Sequence, residues 1–404
     1  MKKLAGEFTL VTITAYLGFI LIGLGGGLLG VAWPAMQIYF EQPIDAMAVI
    51  LTVSTTGYLI ASFGSGIVVS RLGYGRMFIL ALILIGCGWL GVALSHSWGM
   101  LIVITFIGSL GTALLDAGLN AYMAAHHSAR EMNWLHACYG IGITISPLVM
   151  TAAVANAGWQ YGYLVAAIAA LLLLSLFVLS RKEWMPPVTA SSTTGIAFSK
   201  RQVLIDTLRS PLIWLSVVLF LIYAGVESLP GHWGYSLFTE VRGMNVETAG
   251  FWVSFYWGSF TIGRLFFGAI MPKLSPIGMQ RGCIAGTLLG GLLFWWNPSN
   301  TVGVIGLVIL GFAQAPLFPL FVLNTPRMFG EARASYAIGF QLAGAGVGIA
   351  LLPGIVGSLA ATRTLVIMPP FLVVMVVVLI IISELLLYFT SGRMRQVAVQ
   401  GAGD

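Results

Sequence analysis

Residues 211–233 read PLIWLSVVLFLIYAGVESLPGHW. From Pro211 to Tyr223 the run carries no charge, and a helix of roughly 20 such apolar residues crosses about 30 Å of hydrocarbon. Glu227 then interrupts it near mid-depth, with Gly225, Pro230 and Gly231 close by. An ionisable group at the centre of a membrane span costs roughly 2.5–3.5 kcal/mol on insertion scales, so one that is kept has a use or a partner. Pro230 also removes a backbone hydrogen bond, which marks the outer part of the segment as bendable.

The rest of the chain has the same character. Of 404 residues, 58% are hydrophobic and 8% charged, against about 25% charged in soluble domains. Twelve apolar runs are expected to span a bilayer, at 10–33, 47–70, 77–95, 100–123, 134–155, 161–180, 211–235, 248–271, 280–296, 301–323, 335–358 and 365–389. They are continuous rather than alternating, so they read as helices and not as barrel strands. The expected fold is all-α and integral to the membrane, with two parallel six-helix repeats. The first run follows Met1-Lys2-Lys3, is too long for a signal-peptide core and shows no cleavage site, so it is expected to remain.

Lys and Arg set the orientation. If the N-terminus is cytoplasmic, sixteen bases fall inside (Lys2, Lys3, Arg71, Arg76, Arg130, Arg181, Lys182, Lys200, Arg201, Arg209, Lys273, Arg281, Arg327, Arg333, Arg393, Arg395) and only Arg242 and Arg363 outside. Both termini are then cytoplasmic, and the expected location is the inner (plasma) membrane. The net charge of +6 reports this bias and not nucleic-acid binding. Cys87, Cys138 and Cys283 are too scattered for a disulfide framework or a zinc site, and His126-His127 lies in a loop without other ligands. No metal, cofactor or nucleic acid is expected; the partners are the bilayer, a small-molecule substrate and protons, and the protein is expected to act as a monomer.

The linker RKEWMPPVTASSTTGIAFSKRQVLIDTLRS is the longest polar stretch and divides the chain into 1–180, a cytoplasmic linker 181–210, and 211–404. The halves echo each other. Gly66 precedes Arg71 as Gly268 precedes Lys273, and GTALLDAGLNAY in the fourth span pairs with GFAQAPLFPLFVLN in the tenth. Parallel repeats with a site between them at mid-membrane are an architecture of secondary transporters.

Few ionisable groups lie within spans, among them Asp116, His136, Glu227, Arg264 and Glu384. Ser109, Thr112, Asp116 and Asn120 recur at three- and four-residue spacing and share one helix face, where Asp116 either carries a proton or pairs with a base. His136 is either a neighbour of Asp116 or a cap on loop backbone. Arg264 must find a negative partner or snorkel. Glu384 is expected to face the tail bases Arg393 and Arg395. Tyr223 and Glu227 are one turn apart, and three readings of Glu227 stay open: a substrate acceptor, a proton carrier or a structural partner.

The layout and the basic turn after the second span resemble the major facilitator superfamily over essentially the whole chain. YAGVESLPGHW, GFAQAPLFP, LDAGLNAY, NWLHACYGIG and AIGFQLAGAGVGIALLPGIVG are similar to its fucose-galactose-glucose:proton symporter branch. The resemblance implies a proton-accepting acid on the fourth helix, which places Asp116 there. It also implies an acid on the first helix, where this chain has none, and an acid before the first base of the loop motif, where this chain has Ser70. Arg71 and Arg76 remain as gating bases. Because the fifth and eighth helices of this superfamily meet across the halves, Arg264 is expected to pair with Asp116 and hold the inner side closed.

Cavity-facing helices of that fold would carry Asn120, Tyr139, Tyr223, Trp233, Tyr256, Trp257, Gln314, Gln341 and Asn324. Aromatic faces cover sugar C–H surfaces while amides satisfy hydroxyls. Trp33, Tyr235 and Trp252 read instead as interface-belt residues. The expected function is alternating-access, proton-coupled uptake of a monosaccharide or polyol. The alternative is proton-linked export of amphipathic compounds through a Met-rich cavity (Met36, Met47, Met123, Met150, Met244). An enzyme would need a nucleophile with its base or a metal cluster, and a channel a filter or charge ring; the spans carry neither.

Overall fold

The computed structural model describes residues 9–127, 129–184, 200–270 and 275–400. Lys2, Lys3, Lys273 and the linker centre 185–199 lie outside the described residues, as do the side chains of Arg130, Arg201, Arg393 and Arg395. The helices are α1 (Leu10–Tyr39), α2 (Met47–Leu72), α3 (Tyr74–Ala93), α4 (Trp98–His126), α5 (Ala129–Asn156), α6 (Trp159–Ser180), the short α7 (Lys200–Leu208), α8 (Pro211–Ser236), α9 (Val246–Ile270), α10 (Pro276–Trp296), α11 (Asn300–Gln314), α12 (Leu317–Phe329), α13 (Glu331–Arg363) and α14 (Met368–Gln400). Thr9, Ser97, Ser275 and Ser299 cap α1, α4, α10 and α11 with their hydroxyls, satisfying N–H groups that the first turn leaves open.

The chain makes twelve passes. Among the described residues eleven segments are long and apolar enough to cross a membrane, Asn300–Phe329 counting as one; α9, which carries Glu247 and Arg264, supplies the twelfth with 25 residues. The helices overrun the expected spans at several ends, because helical backbone continues past the apolar stretch into interfacial residues such as Gln37 to Tyr39.

The tenth pass is broken where α11 stops at Gln314 and α12 starts at Leu317. Pro316 and Pro319 have no N–H to donate, so the Phe312 and Ala315 carbonyls lose the donor a helix would supply. In compensation, α9 comes close enough at Gly263 that a Cβ there would press on the Phe312 carbonyl oxygen.

The first six helices build a core of their own around Phe19, Phe78, Leu115, Tyr122 and Phe177. Trp184, just past α6, closes it: its ring stacks on Phe177 with centroids 5.4 Å apart, meets Phe78 and Tyr122 edge-on at 4.7 Å each, and its Nε1 donates to Ser180 Oγ at 3.2 Å. Trp184→Ala is expected to cost about 3–5 kcal/mol through the cavity it leaves, seen as a lower Tm of the purified protein.

Contacts between the first six and last six helices lie away from the termini. A Cβ on Gly30 of α1 would collide with the Gly231 carbonyl oxygen of α8, and one on Gly250 of α9 with Thr151 of α5. Ala48 meets Gly354, and Leu59 meets Gly346. The last such contacts toward the termini are Gly140 against Thr261 and the 3.5 Å approach of the Thr144 and Thr261 hydroxyls. Beyond them a Cβ on Gly64, Gly66, Gly268 or Gly339 would meet nothing within 4 Å. The bundle is thus sealed at the end far from the termini and open at the termini end.

At that far end Arg242, one of two bases expected outside, is inserted between Phe238 and Phe294, 5.4 and 4.5 Å from their ring centroids, and donates to the Phe294 carbonyl at 2.6 Å. Burial pulls its pKa down to about 10, so it stays charged at neutral pH.

Candidate functional site

Two polar clusters face each other near mid-depth. In the first, the Tyr58 hydroxyl of α2 donates to Asp116 Oδ2 of α4. Asn120 Nδ2 donates to Asp116 Oδ1 at 2.7 Å and to its backbone oxygen at 3.0 Å. Each carboxylate oxygen thus has its own donor. The Ser109–Asn120 face is turned toward α2, since a Cβ on Gly57 would strike Ser109 Oγ.

The second cluster joins α8, α9 and the broken tenth pass. The Tyr223 hydroxyl donates to the Gln314 backbone carbonyl at 3.1 Å and lies beside the Glu227 carboxylate. The Tyr256 hydroxyl donates to the Glu227 backbone oxygen at 2.7 Å and approaches Gln314 Oε1 at 3.0 Å. Trp257 packs beneath Gly231, one turn from Glu227, with its ring 4.9 Å from Tyr256 and 5.9 Å from Phe260. Arg264 lies over the Phe260 ring at 4.5 Å, and its guanidinium is within electrostatic reach of Glu227, Tyr223, Tyr139 and His136. Arg264 Nε, Trp257 Nε1 and Gln314 Nε2 are buried without a hydrogen-bond partner. Tyr139 of α5 stands between the clusters, facing Gly26 of α1 and within reach of both Asp116 and Glu227.

The expected Arg264–Asp116 pair is not made: the partners of Asp116 are Tyr58 and Asn120, and Arg264 sits with Glu227. Nor is the termini end closed. His136 is exposed and meets Phe19 edge-on at 5.5 Å, with Arg264 rather than Asp116 as its charged neighbour. His136 and Arg264 each lie one turn beyond the Gly140–Thr261 contact, at the mouth of the opening. Arg71 and Arg76 are exposed at the turn between α2 and α3 and, among the described residues, have no ion-pair partner.

Other side chains sit elsewhere than expected. Trp233 is fully buried and donates to the Pro353 carbonyl at 2.9 Å, binding α8 to α13 at the sealed end. Trp33 and Tyr235, read as belt residues, are buried, and Trp33 donates to Ile44 O at 3.2 Å. Glu384 forms a bidentate pair with Arg281, at 2.7 and 2.6 Å, in place of the tail bases. Met36, Met47, Met123 and Met150 are fully packed between helices, which removes much of the Met-rich lining expected for an exporter.

Gln341 belongs to a closed network: its Nε2 donates to Ser216 Oγ at 2.9 Å and its Oε1 accepts from Thr325 at 3.0 Å. Asn324 is tied to Gln280 in the same way at 2.9 Å. Gln341→Leu is expected to cost roughly 1–3 kcal/mol by stranding buried polar groups while leaving substrate affinity unchanged, as thermal melting with and without ligand would show. Tyr58 and Phe260 had no place in the sequence reading; a tyrosine one turn from Ser54 at mid-span was the available signal for the first.

An apolar crevice of about 640 Å³ between α9, α10 and α11, lined by Phe267, Met279, Cys283 and Phe312 among others, contains none of these polar residues.

Residues 15–299 match the Major Facilitator Superfamily model. The glucose/mannose transporter GlcP of Bacillus subtilis (strain 168) is 20% identical over 350 residues, 85% of this chain and 86% of its own. A putative glucose/galactose transporter of Helicobacter pylori (strain J99) is 22% identical over 386 residues, 88% of this chain and 90% of its own. The crystal structure of a mutant of the nucleoside transporter NupG superposes with a TM-score of 0.76 at 12% identity, over 93% of this chain and 100% of that one. Twelve passes around a central polar site and a family match over most of the length lead to one conclusion: the chain belongs to the major facilitator superfamily.

Proposed function

We propose that the protein imports a monosaccharide or related polyol together with protons, by alternating access. It works as a monomer in the inner membrane, with both termini cytoplasmic and with residues 1–180 and 211–404 as the moving halves around the linker 181–210. On that orientation the described conformation is open to the cytoplasm. The observation that carries the reading is the second cluster, where tyrosine and tryptophan faces, an amide and a carboxylate meet at a broken helix with buried N–H donors left unused. Relatives named as glucose, mannose and galactose transporters support it.

The two clusters divide the work. Asp116, held by Tyr58 and Asn120 on the cytoplasm-open side, carries the coupling proton. Glu227, Tyr223, Tyr256, Trp257 and Gln314 bind the substrate, while Tyr139 lies where it senses both. Asn120 orients the proton carrier. His136 and Arg264 line the cytoplasmic mouth, and Arg71 and Arg76 are bases available to close it in the opposite state. The test is uptake of labelled glucose and galactose by proteoliposomes under an inward proton gradient. Inward accumulation that collapses with a protonophore supports the reading; proton-driven extrusion of amphipathic compounds without sugar uptake would replace it with the exporter.

A further inference from the structure

The three unpartnered atoms of the central site are all donors: Arg264 Nε, Trp257 Nε1 and Gln314 Nε2. The other buried atoms without partners, on Thr151, Tyr235, Ser236, Arg242 and Asn297, belong to the sealed end. Gln314 Oε1 lies 3.0 Å from the Tyr256 hydroxyl and the Glu227 carboxylate has Tyr223 beside it, so the second cluster offers a ligand few open side-chain acceptors. A hydroxyl that accepts from one of these donors must still place its own proton, and Glu227 offers few positions. A carboxylate has two oxygens with about four acceptor sites and no proton to place.

Arg264 sharpens the imbalance. Among the described residues its guanidinium makes no hydrogen bond and no ion pair; it rests on the Phe260 ring and has Glu227 only within electrostatic reach. Trp257, Phe260 and Arg264 follow one another at three- and four-residue spacing, so indole, ring and guanidinium lie along one face of α9. Its Nε is enclosed without a partner while the residue as a whole is half-buried at the opening, and its planar fork matches a carboxylate in bidentate geometry.

We propose that Arg264 is the group that binds a carboxylate on the substrate, and that the site takes a sugar acid, a uronate or an aldonate, in preference to a neutral hexose. The proposal rests on the sugar-transport reading above. The carboxylate lies at Arg264 on the cytoplasmic side of the site, and the polyol part lies toward Tyr256, Trp257 and Glu227. A monoanion moved with one proton makes the transported unit neutral.

Binding to the purified protein is measured by thermal shift and by counterflow for glucose, galactose, glucuronate, galacturonate and gluconate. A charged hydrogen-bonded contact predicts that the uronates bind at least about tenfold more tightly than their parent hexoses, and that Arg264→Gln brings the uronate-to-hexose affinity ratio to about one. Equal affinity of uronate and hexose, or a loss on Arg264→Gln that is the same for both, overturns the proposal. Should Arg264→Gln fail to fold, glucuronamide replaces the variant: it must bind the parent protein at least about tenfold more weakly than glucuronate, and equal binding overturns the carboxylate contact. Hexose binding without a uronate preference removes the carboxylate assignment alone. Failure of every sugar and sugar acid to bind removes it together with the transport reading.

Discussion

Proteoliposomes carrying Asp116→Asn are expected to exchange labelled substrate across the membrane at close to the parent rate, yet to accumulate none of it under an inward proton gradient. Asparagine keeps the size of the side chain; its Oδ1 can accept from Asn120 while its Nδ2 donates to the Tyr58 hydroxyl, which turns from donor to acceptor, so the local packing survives. What disappears is the group that can take up and release a proton. Exchange needs only that the loaded carrier reorient, whereas accumulation needs a proton bound on one side and lost on the other. A ratio of inside to outside substrate near one, against roughly a hundredfold for an ideal two-unit pH gradient in the parent (each tenfold being 1.4 kcal/mol), is the expected reading. Unchanged accumulation would move the coupling role to Glu227; loss of exchange as well would make Asp116 structural.

The second large effect is expected at a place with no chemistry. Gly30→Val puts two methyl groups where α1 crosses α8 against the Gly231 carbonyl. The clash belongs to the conformation sealed at the far end and is relieved when that end opens. Overpacking costs about 1–3 kcal/mol where side chains yield, and a backbone carbonyl yields less. At 1.4 kcal/mol per tenfold, the sealed state loses roughly ten- to several-hundredfold in population. Uptake and counterflow should therefore both fall to background while substrate still binds, and a cysteine placed near Trp233 should become reactive from the far side. Gly64→Val, at a position with no atom within 4 Å of the added carbon, is the matched control and should transport normally.

The membrane passes could be read from the chain because hydrocarbon length imposes a countable signature on sequence. Even α9, too polar to qualify by composition, is carried by its neighbours. The depth of the central polar residues was legible too, since Asp116, Glu227, Tyr256 and Gln314 are all well inside their spans. Which of them touch was not. Depth along a helix fixes one coordinate of three, and the Arg264–Asp116 pairing failed on the other two: Asp116 is turned to α2, where Tyr58 claims it. The belt reading of Trp33 and Tyr235 failed for a related reason, because an aromatic residue near the end of a span looks the same in sequence whether it faces lipid or another helix. Gln341 and Asn324 were indistinguishable from Gln314 as amides in apolar runs; only packing reveals that their bonds are spent on Ser216, Thr325 and Gln280.

The break between α11 and α12 has a mechanical consequence. A continuous rod transmits rotation along its whole length, so gating with such a rod would swing both ends of the tenth pass at once. Here the rod is cut at Ala315 and Pro316, and the end of α11 is latched by the Tyr223 hydroxyl on the Gln314 carbonyl. The latch holds the last residue of α11, so α11 stays docked on α8 and α9 while α12 is free to turn about the break. The half of the tenth pass nearer the termini can therefore move separately from the half that holds Gln314.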